Sequence, residues 1–163
     1  MRRLLPLLVA VALLAACGSS PKPTTTTTAA KRPVPPGTVL YEGAAWAVAV
    51  SGPKATAYHL VGGAWRPDRT GQVKIDILGP KPSSKGNAAT PQVAFEMTGK
   101  SALIDSALWV DGTELLTKGG GLGPDQGTVY GAPNAPLKKG LHVAVAYGRT
   151  ATHATAVAWV FRV

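Results

Sequence analysis

Cysteine is almost missing from this sequence of 163 residues: there is one, Cys17. A single cysteine excludes an intramolecular disulfide and every zinc site built on pairs of thiolates. Acidic residues are scarce as well, eight Asp and Glu against seventeen Lys and Arg. Asp105, Asp111 and Asp125 are scattered, without the carboxylate density that calcium needs, and the acids propose no paired general acid and base. The three histidines, His59, His142 and His153, form no HxH or HExxH pattern, and no Gly-x-Ser-x-Gly elbow occurs. The sequence therefore names no cofactor, no metal and no catalytic set. Long apolar runs are lacking too. The longest, residues 4–16, holds about 13 residues, short of the ~20 that a membrane-spanning helix requires. No stretch of a dozen residues carries the i, i+3, i+4, i+7 apolar spacing of an amphipathic helix.

What is present begins with Arg2 and Arg3, followed by that apolar run, and this pairing of charge and greasy core is the pattern of an export signal. The run ends in Leu14-Ala15-Ala16-Cys17, which resembles the lipobox of bacterial lipoproteins. The resemblance implies a diacylglyceryl group on the Cys17 thiol, removal of residues 1–16, and Cys17 as the new amino terminus. The competing reading, a plain thiol beside an ordinary cleavage site, leaves a lone cysteine exposed in an oxidising compartment. Each buried methylene contributes roughly 0.8 kcal/mol, and one acyl chain holds only marginally; two or three on one cysteine hold firmly. The expected location is the bacterial cell envelope, lipid-anchored on the extracytoplasmic side, with the membrane as first partner. Gly18 after the cysteine leaves inner and outer membrane both open.

Residues 17–37 change composition sharply. Threonines 24–28 are consecutive, prolines stand at 21, 23, 33, 35 and 36, and large apolar side chains are nearly absent. Such a stretch cannot bury enough surface to offset the entropy of ordering, so it reads as a disordered tether, with a coil dimension of roughly 25 Å. Lys22, Lys31 and Arg32 suit anionic headgroups or an anionic wall polymer, or serve only to keep the tether solvated. The net charge of +9 divides accordingly: two arginines leave with the signal, three cations lie in the tether, and twelve Lys and Arg face eight Asp and Glu beyond it, leaving about +4. No basic cluster interleaves with aromatics, so nucleic acid is set aside as a partner.

From residue 38 onward glycine and proline punctuate short runs rich in valine, threonine and aromatics, which predicts an all-β domain. Trp109-Val110-Asp111-Gly112-Thr113 predicts a tight hairpin, because Asp-Gly tolerates the two positive φ values of a two-residue turn. Leu141, Val143, Val145 and Tyr147 alternate with smaller residues, as do Val157, Trp159, Phe161 and Val163; each set presents a bulky face to a core. The glycine-rich run 118–127 lacks the Gly-Lys-Ser/Thr ending of a phosphate loop and reads as a flexible loop.

The order of motifs over residues 73–163 resembles a bacterial immunoglobulin-like domain: Gly79-Pro80 after a first strand, Pro91-Gln92-Val93-Ala94-Phe95, Val110-Asp111-Gly112, Leu137-Lys138-Lys139-Gly140-Leu141-His142, and Trp159-Val160-Phe161-Arg162-Val163. The resemblance implies a β-sandwich with Trp109 buried on its third strand; a different sandwich or a small barrel is the competing architecture. The sequence departs from the pattern in having no cysteine pair and in placing Gly148-Arg149-Thr150 at the last turn. Residues 38–72 are expected as a β-hairpin or three-stranded extension, either widening one sheet or forming its own layer.

The remaining handle on function is aromatic. Tyr41, Tyr58 and Trp65, beside Arg66 and Arg69, are candidates for an exposed strip that takes a carbohydrate or a partner, the alternative being that they belong to the core. Two readings follow: a non-catalytic envelope lipoprotein whose sandwich binds, adheres to or scaffolds an envelope protein or wall polymer, or a ligand- or substrate-binding lipoprotein, or small enzyme, with a pocket the sequence does not reveal.

Overall fold

The computed structural model describes residues 35–163, apart from Asn87 and Leu122; Cys17, the signal segment and the tether up to residue 34 lie outside the described residues. Twelve strands follow one another along the chain: β1 (Thr38–Glu42), β2 (Trp46–Ser51), β3 (Lys54–Val61), β4 (Ala64–Pro67), β5 (Val73–Gly79), β6 (Val93–Gly99), β7 (Leu103–Val110), β8 (Thr113–Glu114), β9 (Thr117–Gly121), β10 (Gln126–Gly131), β11 (Leu141–Thr150) and β12 (Ala154–Arg162). Among the described residues there is no helix, and the all-β expectation holds.

The strands form three antiparallel sheets of four. One is the meander β1-β2-β3-β4, one has the order β5-β6-β10-β9, and one has the order β12-β11-β7-β8. Named by the immunoglobulin convention, β5 to β12 are A, B, C, C′, D, E, F and G, and the two later sheets are then ABED and GFC with C′ added, which is the immunoglobulin topology. Asp111 and Gly112, at φ 50° and 80°, make the two-residue turn between β7 and β8, as the sequence predicts. The N-terminal segment has four strands where a hairpin or three strands are expected; Gly62 and Gly63 both take positive φ and turn Ala64–Pro67 back onto β3, with Trp65 opposite Leu60.

Two further expectations are corrected. Within residues 118–127 the chain is largely paired rather than looped: Gly119 and Gly120 of β9 sit opposite Val129 and Thr128 of β10, where backbone pairing needs no side chain. Gly148-Arg149-Thr150 belongs to β11, and the turn to β12 falls at Ala151-Thr152-His153.

The GFC-type sheet is the middle layer. Alternation along its strands sends successive side chains to opposite faces. Leu108, Val110, Ala144, Ala146, Trp159 and Phe161 point to the sandwich interior, where they meet Val93, Phe95, Met97 and Val129. Trp109, Val145 and Tyr147 point the other way and are covered by Trp46, Val48 and Ala57 of the first sheet. Trp109 is thus buried on the third strand of the sandwich, but in a second core and not in the sandwich interior. Small side chains on the facing strands, Ala55 and Ala57 on β3 and Ala154, Ala156 and Ala158 on β12, let the first sheet lie close over this face. The Trp159 indole N–H, buried in the first core, donates to the Pro80 carbonyl at 2.9 Å.

Candidate functional site

The five residues singled out as a binding strip do not share a face. Tyr41 points inward, its ring 5.9 Å from that of Tyr147. Tyr58 is buried on the outer face of the first sheet with Ala47 and Ala49, where half-buried Trp65 covers it. Arg66 follows Trp65 on β4 and therefore emerges on the opposite face; it lines a cleft together with Arg69. A continuous strip would have required Trp65 and Arg66 to share a side, which period-two alternation forbids.

The cleft, about 200 Å³ in volume, lies where the β3–β4 hairpin and the segment after it approach the β11–β12 turn. Strand register builds one wall. His59 pairs with Trp46 across β2–β3 and with Arg66 across β3–β4, and its ring stacks on the indole of Trp46 with centroids 4.2 Å apart and planes 7° from parallel.

Asp68 ties the floor together. Its Oδ1 accepts from the backbone N–H of Thr70 at 3.1 Å and from the Thr70 hydroxyl at 2.8 Å. Its Oδ2 accepts from the N–H of Ala154 at 2.9 Å and lies 3.3 Å from His153 Nδ1. Burial of the carboxyl raises its pKa, but these hydrogen bonds to the charged form outweigh it and hold Asp68 below the ordinary carboxylate value. The carboxylate thereby fastens the segment leaving the first sheet to the start of β12. Thr70, His153 and Asp68 invite comparison with a hydroxyl–imidazole–carboxylate relay, which addresses the two ring nitrogens separately. Here the Thr70 hydroxyl, 3.2 Å from Nδ1, and Asp68 both face the same nitrogen, so the trio is a clasp and not a nucleophile with its base.

A second histidine clasp closes one end of the sandwich. His142, buried at the start of β11, has Nδ1 2.7 Å from Asp111 Oδ2 and Nε2 2.7 Å from the Lys138 carbonyl. Asp111 Oδ1 also accepts from the N–H of Val143 at 2.9 Å. Because both ring nitrogens face acceptors, the imidazolium fits best. The hydrogen bond to Asp111, supported by the Lys138 carbonyl, raises the His142 pKa against the opposing effect of burial.

Sequence reasoning found Arg66 and Arg69 but missed Asp68, His59 and His153 as their neighbours. The sequence Asp68-Arg69-Thr70 does carry the signature of an Asx turn, in which a carboxylate bonds a backbone N–H two residues on. Among the described residues no three of His, Cys, Asp and Glu converge to hold a metal ion.

No protein-family model matches the sequence, and no curated protein matches it. Among solved structures the chain is similar to the crystal structure of PcoC, a copper resistance protein from Escherichia coli, with 18% sequence identity, 52% of this chain and 92% of that chain covered, and a TM-score of 0.33.

Proposed function

We propose that this protein is an extracytoplasmic lipoprotein, moored to the membrane through Cys17, whose immunoglobulin-like sandwich with its added sheet is a non-catalytic binding module for an envelope component. The observation that carries the reading is the placement of the chain's only cysteine at the end of a short apolar run behind two arginines, directly before a threonine- and proline-rich stretch. In this reading residues 1–16 are removed, residues 17–37 are the tether, and the folded part works outside the cytosol. The binding role is supported by the cleft at Arg66 and Arg69, where two cationic side chains line one concavity. Metabolic labelling with a fatty-acid analogue tests the mooring: the wild type takes up label and partitions with membranes, whereas Cys17→Ser is unlabelled and does not. Equal labelling of both, or a product that retains residues 1–16, overturns it.

A further inference from the structure

We infer that the cleft between the β3–β4 hairpin and the β11–β12 turn is a phosphoryl-binding site, with Arg66 and Arg69 as the ligating pair and the Trp46-backed ring of His59 as its wall. Charge is the first support. Among the described residues neither arginine has a carboxylate within ion-pair distance. The one acid lining the cleft, Asp68, has both oxygens engaged by Thr70, Ala154 and His153, so its charge is directed into the fold and not at the arginines. An anion entering the cleft meets two guanidinium groups that are not ion-paired within the fold, against the single charge of Asp68, whose side chain is only 5% exposed.

Size is the second support. A cleft of about 200 Å³ falls below the roughly 300–1,000 Å³ of a pocket that engulfs a small molecule. It admits a charged terminus of something larger. Guanidinium forks match tetrahedral phosphate oxygens in pairs, and two forks in one cleft offer more donors than a single carboxylate can use. Thr152, whose hydroxyl is a neutral donor, also lines the cleft.

Preorganisation is the third. The indole of Trp46 holds His59 flat, and the Asp68 bonds fix residues 68–70 against β12. Ordering on binding is then confined largely to the two arginine side chains, which limits the entropy lost.

The three histidines supply a test with its own control, since His59 and His153 line the cleft and His142 does not. In the full chain as the cell produces it, in maltoside micelles at fixed pH and ionic strength, the imidazole C2–H resonances are followed by NMR during titration with inorganic phosphate, and separately on doping the micelles with phosphatidylglycerol. The resonances of His59 and His153 are expected to move saturably while that of His142 stays. Movement with inorganic phosphate assigns a free or polymer-borne phosphoryl group, and movement only with the doped micelles assigns a lipid headgroup. The double variant R66Q/R69Q is expected to weaken binding at least tenfold with an unchanged melting curve. No movement in either arm, equal movement with acetate, or full movement in the double variant overturns the site. The inference rests on the binding-module half of the proposed function and not on the lipid: imidazole shifts without labelling at Cys17 remove the anchor alone, and labelling without shifts removes the cleft alone.

Discussion

The two larger cores among the described residues share one sheet and are filled in opposite ways. Inside the sandwich, the central strands β7 and β11 offer Leu108, Val110, Ala144 and Ala146, the edge strand β12 adds Trp159 and Phe161, and the opposing sheet brings Phe95, Met97 and Val129. Outside it, β7 and β11 offer Trp109, Val145 and Tyr147, and the added sheet answers with Trp46, Val48 and alanines. The largest residue of each of β7 and β11, Trp109 and Tyr147, thus faces the added sheet. That sheet is accordingly no appendage, for without it Trp109 and Tyr147, both at most 2% exposed, would form an apolar patch in water.

Truncating one large side chain in each core measures whether they are equals. Trp109→Ala and Phe95→Ala should each destabilise by about 3–5 kcal/mol, read as a shift in the urea midpoint with a single transition in both variants. A loss under about 1 kcal/mol for Trp109→Ala would mean that the added sheet lies loosely and the second core is subordinate.

The junction between the two regions is sharpened by Asp68→Ala, which orphans the N–H of Ala154 and should cost about 1–3 kcal/mol. The sign of its pH dependence follows from a pKa lowered by folding. Asp68 contributes stability above its unfolded value of about 3.9, and that contribution is lost as pH falls through the still lower folded value. The acid limb of the wild-type stability curve should therefore flatten in the variant.

The sandwich end away from the cleft should respond in the opposite direction. The pKa of His142 is raised by folding, so its contribution is complete below about pH 6.5 and disappears as pH rises through the folded value. Asp111→Asn keeps a residue tolerant of positive φ in the turn and should remove that dependence, measured as urea midpoints on either side of neutrality.

Smallest is the effect of Tyr147→Phe. The Tyr147 hydroxyl is buried without a hydrogen-bond partner among the described residues, and burial drives its pKa well above the ordinary tyrosine value. Removing the oxygen should leave the protein equally stable, or more stable by up to about 1 kcal/mol. A clear loss in thermal denaturation would show that the hydroxyl has a partner after all and that the second core is wetter than the first.

Much of the sandwich was legible in the sequence because its signals are local. Asp111-Gly112 specifies a turn by backbone preference alone, and the alternation of Val157, Trp159 and Phe161 marks a strand with one heavy side. The partner of a heavy side is not local. Val143, Val145 and Tyr147 reveal that β11 has a bulky face, but the opposite face carries His142, Ala144 and Ala146, which are buried as well; small residues inside a core look like a lighter surface until the opposing sheet is seen. The glycines of β9 were unreadable for a related reason, since a ladder made by backbone atoms leaves no side-chain pattern. At the cleft, the arginines announce themselves by charge, whereas His59 and His153 are 94 positions apart in the sequence and meet only because β3 lies over β12.

Strand β11 has a neighbour in every direction: β12 and β7 beside it in the sheet, one sheet above and another below. Local fluctuations that fray edges and loops leave such a strand untouched, and its amides become accessible only when the whole assembly opens. The slowest-exchanging protons along β11 therefore serve as a gauge of global unfolding, and anything that loosens either flanking layer should quicken them.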